Sequence, residues 1–178
     1  MAEGLLLKLA GSRGLYMEAR SAGTAAMDGI PISGHAASIL QETGAVPNSQ
    51  GSKTLTPDLV SWADLILTMT MNHKKHVLQR YPAAIDKIYT LKEYAGSDDK
   101  ETNAILGELE RLTSELQISK ALNQPVTHEQ QMRLFELEAQ LPDYDIADPF
   151  GGNLDAYRYS AEEIEAAIRK IVDKLAGG

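Results

Sequence analysis

The stretch that decides the fold is a short apolar run leading into a helix start, Ala63-Asp64-Leu65-Ile66-Leu67-Thr68-Met69-Thr70. Residues 65–69 have the length and composition of a strand buried on both faces. Thr70 can cap a helix over 71–80, which Pro82 would end. A buried strand that runs directly into a capped helix is the unit from which parallel sheets are built.

The segments on either side repeat this alternation. Ser33 is a suitable cap for one helix, and Thr56-Pro57-Asp58 combines a cap, a proline in the first turn and an acid against the helix dipole. A polar loop is expected over 48–53. The further predicted elements are helices over 2–10, over 34–43 and from 57, and strands over 17–22 and 87–91. The predicted fold class is therefore α/β, a doubly wound parallel sheet covered by helices.

Residues 97–141 interrupt the alternation with two amphipathic patterns separated by Pro125. The second pattern follows the capping box Thr127-His128-Glu129-Gln130. We interpret this segment as a helical hairpin inserted into a single domain over residues 1–178. A second capping-box pattern, Ser160-Ala161-Glu162-Glu163, predicts the start of the last helix.

The composition limits the classes of function. The 178 residues carry a net charge of −8, which argues against nucleic acid or an anionic membrane as the main partner. The sequence has no cysteine, so it can form neither disulfides nor thiolate metal sites, which fits a reducing compartment. No apolar run is long enough to span a bilayer, and a cytoplasmic location is expected.

One loop combines residue types that could serve chemistry, namely Tyr144-Asp145-Ile146-Ala147-Asp148-Pro149-Phe150-Gly151-Gly152. Pro149 favours an extended Asp148, and the two glycines allow a sharp turn that presents a carboxyl group and an aromatic ring. The simpler interpretation is an ordinary surface turn. Asp145 and Asp148 also form a carboxylate pair, but no other feature indicates a sugar cleft.

Two histidines on the predicted helix over 71–80, His73 and His76, have a spacing that could bind a metal ion. Lys74 and Lys75 lie between them and would repel a cation, and the pattern includes no carboxylate ligand. We therefore expect solvent-facing histidines and no metal site.

Four separated pieces of the sequence stand out together. They are Met1-Ala2-Glu3-Gly4-Leu5-Leu6, Ser21-Ala22-Gly23-Thr24, the stretch from Ala63 to Met69 with His73-Lys74, and a last piece from Lys87 through Thr90-Leu91-Lys92-Glu93-Tyr94 to Asp148-Pro149-Phe150-Gly151-Gly152. In order and spacing they resemble the low-molecular-weight protein phosphatases. Within the last piece, Leu91-Lys92-Glu93-Tyr94 and Asp148-Pro149-Phe150-Gly151-Gly152 are most similar to the bacterial protein arginine phosphatases.

The resemblance implies a four-stranded doubly wound sheet and hydrolysis through a phosphocysteine, without a metal or other cofactor. Asp148 would be the general acid that protonates the leaving group and then activates water. Phe150 would stack beside the substrate side chain, and Ser21 would support the phosphate loop. The alternative for Ser21 is a serine at the end of a strand.

The family's phosphate loop, Cys-x5-Arg, directly precedes the helix that begins here at Met1. The resemblance therefore implies that the first, central strand, the nucleophile and the phosphate cradle are missing from this sequence. We expect the chain to be inactive alone and poorly folded, because each unpaired buried backbone group costs about 1–3 kcal/mol. A start placed at an internal methionine, a fragment, and a natural inactive relative are the alternatives.

The leading functional hypothesis is a protein phosphatase acting on phosphoarginine, or otherwise on phosphotyrosine, in phosphorylated proteins. The second hypothesis is a non-catalytic, phosphatase-like binding protein that uses the hairpin as its interaction surface. The hairpin could also act as a lid, although its leucines are explained by its own core.

Overall fold

The computed structural model describes residues 1–46, 51–96, 99–122 and 124–177. The predicted polar loop over 48–53 and the start of the predicted hairpin at 97 lie partly outside these ranges. The strands are Ile66–Thr68 (β1) and Ile88–Thr90 (β2), and Pro82–Lys87 forms a short 3-10 helix. The helices are Ala2–Ser12 (α1), Gly34–Thr43 (α2), Pro57–Trp62 (α3), Met71–Arg80 (α4), Leu91–Ala95 (α5), Lys100–Ala121 (α6), His128–Gln140 (α7) and Leu154–Gly177 (α8).

Local capping signals explain most of the helix starts. The side chains of Ser33, Thr56 and Thr70 each accept a hydrogen bond from the backbone N–H three residues on, at the start of α2, α3 and α4. Gly44 ends α2 in the left-handed conformation, with φ of +69°. These predicted boundaries are confirmed.

The strands β1 and β2 pair in parallel, with Ile66 opposite Ile88 and Thr68 opposite Thr90. Helix α4 and the 3-10 helix connect them, as a parallel pairing requires. The two predicted strands over 65–69 and 87–91 are therefore confirmed, and so is the α/β class with a parallel sheet.

The strand predicted over 17–22 is wrong. Met17 and Ala19 are half-buried while Glu18 and Arg20 are exposed, so one face is covered as the alternating pattern indicated. A strand also needs a neighbouring strand for its backbone hydrogen bonds. In the described ranges, the hydrogen bonds of the sheet join only β1 and β2. The nearest pairing is a single parallel bridge between Gly23 and Thr54.

The predicted start of the last helix at Ser160 is also wrong. Helix α8 begins at Leu154, where the Asn153 side chain accepts a hydrogen bond from the Ala156 N–H at 3.0 Å. Ser160 lies inside the helix and is buried, and its hydroxyl donates to the carbonyls of Ala147 (2.7 Å) and Ala156 (3.1 Å). Ser160 and the two glutamates that follow it therefore do not mark the start of a helix here, because the serine makes a buried contact inside one.

Helix α5 was not predicted, although its start carries a capping box. The Thr90 N–H donates to Glu93 Oε2 at 2.9 Å, and the Glu93 N–H donates to Thr90 Oγ1 at 3.1 Å. Lys74 from α4 also donates to both oxygens of the Glu93 carboxylate, each at 2.8 Å. Glu93 thus caps α5 and joins it to α4.

The described chain forms two compact units, Met1–Ala95 with Tyr144–Gly178, and Gly96–Asp143. In the first unit, α8 packs against α1, α2 and α5. Their shared core contains these buried residues: Leu5, Leu9, Ala10, Leu40, Ala45, Leu91, Ile146, Ile164, Ala167, Ile168, Ile171 and Val172.

The second unit consists of the paired helices α6 and α7. The capping box predicted from Thr127 to Gln130 is confirmed. Arg133 binds the Glu108 carboxylate through both Nε (2.9 Å) and Nη2 (2.6 Å), which joins the two helices. None of the helices over the described ranges is both long and apolar enough to cross a membrane.

We expect Ile168→Ala to lower the free energy of unfolding of the first unit by about 2–5 kcal/mol, because Ile168 is 1% exposed and its loss leaves a cavity. The matched control is Lys170→Ala on the exposed face of α8, which should change it by less than about 0.5 kcal/mol. Urea unfolding measures both, and equal effects would contradict the core assignment.

The loop around Asp28 provides a pH-dependent contact. The Thr54 hydroxyl (2.8 Å) and N–H (2.6 Å) both donate to Asp28 Oδ1, and they lower the pKa of the Asp28 carboxyl. Because the pKa of Asp28 is lower in the folded state, the contact stabilises the folded state fully above the unfolded-state pKa. This stabilisation is lost as the pH falls through the folded-state pKa.

We therefore expect low pH to weaken two backbone hydrogen bonds next to this contact. They run from the Gly23 N–H to the Lys53 carbonyl and from the Leu55 N–H to the Gly23 carbonyl. Asp28→Ala should release them already at neutral pH, whereas Asp86→Ala, at an exposed acid elsewhere, should not. Amide exchange, corrected for its intrinsic pH dependence, measures the effect. Unchanged protection of both amides in Asp28→Ala would rule out the contact as their support.

Candidate active site

The segment before Asp148 crosses the end of strand β1. The Ile146 N–H donates to the carbonyl of Met69, just beyond the strand, at 2.9 Å. The neighbouring Asp145 accepts a hydrogen bond from the Met71 N–H, at the start of α4, at 2.7 Å. Ligands of open α/β sheets bind outside the carboxyl ends of the strands, and this segment lies at that edge.

Asp148 begins a tight turn. Its Oδ1 accepts a hydrogen bond from the Phe150 N–H at 3.0 Å, and the Gly152 N–H donates to the Pro149 carbonyl at 2.9 Å. Gly151, the third residue of this turn, adopts φ of +78°, a left-handed conformation that favours glycine. Asp148 is exposed and Phe150 is 89% exposed, so the turn presents a carboxyl group and an aromatic ring to solvent.

Two charged residues that the sequence did not connect with this segment, Lys92 and Glu163, also hold it. Lys92 Nζ donates to the Asp145 carbonyl (2.6 Å) and to Glu163 Oε1 (2.7 Å). The other Glu163 oxygen accepts a hydrogen bond from the Ala147 N–H at 3.2 Å. Glu163 belongs to the motif assigned to a helix cap, and Lys92 belongs to no local pattern that indicates a long-range contact.

Asp145 and Asp148 have different surroundings although only two residues separate them. Asp145 is half-buried and its carboxylate binds the first turn of α4, where the helix dipole favours a negative charge. Asp148 is exposed, and within the described part of the chain its Oδ2 has no hydrogen-bond partner. The pair is therefore one structural acid and one acid open to solvent.

Ser21 lies at the first turn of α1. Its N–H and its hydroxyl both donate to Glu3 Oε2, at 2.9 and 2.5 Å. Among the described residues no hydrogen bond joins Ser21 to the Asp148 turn.

The start of α1 and the start of α8 nevertheless meet at one small core cluster. Its buried members are Ala36, Ile39, Tyr157 and Ala161. Met1 from the start of α1 and Leu154 from the start of α8 both pack against this cluster. The beginning of α1 and the segment directly after the Asp148 turn therefore occupy the same region of the first unit.

The two histidines of α4 are exposed, as predicted, and His73 Nδ1 lies 2.9 Å from the hydroxyl of the capping residue Thr70. No group of three or more potential ligands that could hold a metal ion occurs in the described ranges.

Residues 1–110 match the family described as low molecular weight phosphotyrosine protein phosphatase, and the chain belongs to this family of hydrolases. The protein-arginine-phosphatase of Geobacillus stearothermophilus is 28% identical over 159 residues, which cover 89% of this chain and 77% of the relative. The protein-arginine-phosphatase of Bacillus subtilis is 27% identical over 175 residues, covering 98% and 87%.

Solved structures give the same result for the fold. A crystal structure of a YwlE mutant from Bacillus subtilis matches with a TM-score of 0.70 and 27% identity, over 98% of this chain and 87% of that chain. A low molecular weight protein tyrosine phosphatase from T. tengcongensis matches with a TM-score of 0.69 and 28% identity, over 97% and 88%. The family and the fold class implied by the sequence resemblance are confirmed.

We expect Gly151→Ala to destabilise the first unit by about 1 kcal/mol, because an L side chain is strained at φ of +78°. The control is Gly11→Ala in α1, where an added Cβ meets no atom within 4 Å and the helical propensity of alanine should make the change neutral or stabilising. Thermal unfolding compares the two, and destabilisation of equal size would show that the turn imposes no special conformation.

Proposed function

We propose that this chain provides the general-acid part of a protein phosphatase that acts on phosphoarginine, with phosphotyrosine as the second candidate substrate. The observation that carries the proposal is the similarity to a protein-arginine-phosphatase over 98% of the chain. The exposed Asp148 turn at the carboxyl end of β1 supports it, because a general acid has to reach the bound substrate.

The chemistry assigned to Asp148 needs one oxygen that can carry a proton. Oδ1 is held by the Phe150 N–H, and Oδ2 is open to solvent. When a thiolate attacks phosphorus, the bond to the leaving nitrogen or oxygen breaks, and the protonated carboxyl group supplies a proton to that atom. The resulting carboxylate can then take a proton from the water that hydrolyses the phosphocysteine.

The nucleophile of that scheme is a cysteine, and the 178 residues contain none. No phosphocysteine can form on a chain without a thiol, so we expect the chain by itself to be inactive. The proposal for Asp148 therefore concerns its role when a Cys-x5-Arg segment is supplied ahead of Met1.

Ser21 and Phe150 have supporting roles in the proposal. The contact of Ser21 with Glu3, in the first turn of α1, supports its proposed role, because this helix directly follows the phosphate loop in the family. The exposed ring of Phe150 can stack against a planar guanidino group or a phenyl ring. The preference for phosphoarginine consequently rests on the similarity to the arginine phosphatases and not on Phe150.

The second candidate function is a non-catalytic, phosphatase-like binding protein. The missing thiol favours it, and so do the exposed apolar side chains on α6 and α7, namely Ile118, Met132 and Phe135. For both candidate functions we propose one phosphatase-like domain, with helices α6 and α7 as an insertion. Phosphorylated proteins would be the partners, rather than nucleic acid or a membrane, and the location would be the cytoplasm.

The experiment compares the 178-residue chain with the same chain preceded by the N-terminal segment of an arginine phosphatase, which supplies the first strand and the Cys-x5-Arg loop. Peptides containing phosphoarginine or phosphotyrosine are the substrates. We expect no turnover by the short chain and preferential turnover of phosphoarginine by the extended one. Asp148→Asn in the extended chain should lower kcat by about 10²–10⁴-fold, because the leaving group loses its proton donor.

Asp155→Asn, at an exposed acid in the first turn of α8, is the control and should leave kcat unchanged. Turnover by the short chain would refute its inactivity, and an unchanged kcat in Asp148→Asn would remove the acid role. Binding of phosphorylated peptides by the short chain, together with an inactive extended chain, would favour the binding protein.

A further inference from the structure

The backbone immediately before Asp148 is bound from two sides. On the sheet side, the Ile146 N–H donates to the Met69 carbonyl, and the Ile146 side chain is buried in the core. On the helix side, the peptide groups on either side of Ile146 bind the Lys92–Glu163 ion pair. The Asp145 carbonyl accepts from Lys92, and the Ala147 N–H donates to Glu163.

The ion pair is largely shielded from solvent, because the side chain of Lys92 is 24% exposed and that of Glu163 is 20% exposed. Each member uses one contact for its ionic partner and one for the backbone. Removing either member therefore breaks the pair and also leaves a backbone group of the segment without its charged partner. Hydrogen bonds to charged groups are stronger than those between neutral groups.

Asp148 is the first residue after this bound segment. The Ala147 carbonyl accepts a hydrogen bond from the Ser160 hydroxyl, so both polar backbone groups of Ala147 are held by α8. The direction in which the chain enters the turn is consequently fixed at the peptide bond that precedes Asp148. The carboxylate then needs only its contact with the Phe150 N–H to be oriented.

We infer that Lys92 and Glu163 are positioning residues, which act through the backbone of residues 145–147 to hold the Asp148 turn in the geometry that its acid role needs. This inference rests on the proposed function for the role of Asp148, but the placement of the turn can be measured without catalysis. The competing explanation is an ordinary brace in which the pair only joins α5 to α8, which also contact each other directly.

The chain contains a second ion pair of similar burial that provides a matched control. Lys74 and Glu93 have side chains that are 16% and 21% exposed, and Glu93 belongs to α5 as Lys92 does. This pair joins α5 to α4, and within the described part of the chain its hydrogen bonds reach neither the segment 145–147 nor the turn.

The experiment measures amide hydrogen exchange by NMR in the 178-residue chain and its variants Lys92→Met, Lys92→Arg, Glu163→Ala and Lys74→Met. We expect Lys92→Met and Glu163→Ala to speed the exchange of the Ala147 and Phe150 amides by about tenfold or more. The core amides of Ile168 and Ile171 should change by less than about twofold. Lys92→Arg keeps the charge and should restore most of the protection.

Lys74→Met should leave the Phe150 amide unchanged. If Lys92→Met speeds exchange in α5 and α8 but not at Phe150, the pair is only a brace and the inference is wrong. If Lys74→Met loosens Phe150 as much as Lys92→Met does, the effect is a general loss of stability and the inference is again wrong. Should Lys92→Met fail to fold, Glu163→Ala and Lys92→Arg still provide the comparison at Phe150.

A catalytic measurement in the extended chain separates positioning from other effects on rate. Protonation matters most for a poor leaving group such as the tyrosine side chain, whose pKa is about 10, and little for a much more acidic phenol. We expect Lys92→Met to lower kcat on phosphotyrosine at least about tenfold more than on an activated aryl phosphate. Equal losses on both would contradict positioning of the acid. An extended chain without activity would instead refute the proposed function, and the exchange result would still decide whether the pair holds the turn.

Discussion

The burial of one face of α8 is the constraint on which the first unit depends. The parallel sheet over the described ranges has two strands of three residues each, and a two-stranded sheet of that size is marginally stable at best. Helices α1, α2 and α5 all pack on α8, whose residues Ile164, Ile168 and Ile171 lie in the shared core. The apolar area that opposes chain entropy is therefore supplied mainly by packing between helices and much less by the strands.

The same helix connects the core to the candidate site. Ser160 and Glu163 are three residues apart, so they lie on one side of α8, and both bind Ala147. The next positions along the helix, beginning with Ile164, enter the core. A displacement of α8 would therefore move the backbone next to Asp148, and this is why the stability of the core and the geometry of the turn are linked physically.

The sequence predicted well the features that have a local cause. The caps at Ser33, Thr56, Thr70 and Thr127 depend on a side chain and a backbone N–H three residues away, so their signal lies within one turn of the chain. Strand β1 was predicted because residues 65–69 form a short apolar run with the length of a buried strand, directly ahead of a capped helix. The turn at Asp148 was recognised from proline and glycine, which restrict or extend the backbone by themselves.

The errors concern features that depend on distant residues. Residues 17–20 alternate in burial, but pairing with another strand is a property of the whole sheet. Ser160 has the local signature of a cap, and its hydroxyl is used for Ala147, thirteen positions earlier in the chain. Lys92 gave no signal of its role because its partner Glu163 is 71 residues away, and no periodic pattern records such a pair.

The two acids of the candidate site show why residue type alone cannot assign chemistry. Asp145 and Asp148 have the same carboxyl group and nearly the same position in the sequence. The carboxylate of Asp145 is engaged by the first turn of α4, and its backbone carbonyl is engaged by Lys92, so any movement of this residue would break contacts with two helices. Asp148 lies three positions after Asp145. One of its carboxyl oxygens is held by the turn and the other is open to solvent. A general acid must be held in place and still exchange its proton, and of these two acids Asp148 is the one that fits both requirements, which supports the proposal that it is the acid.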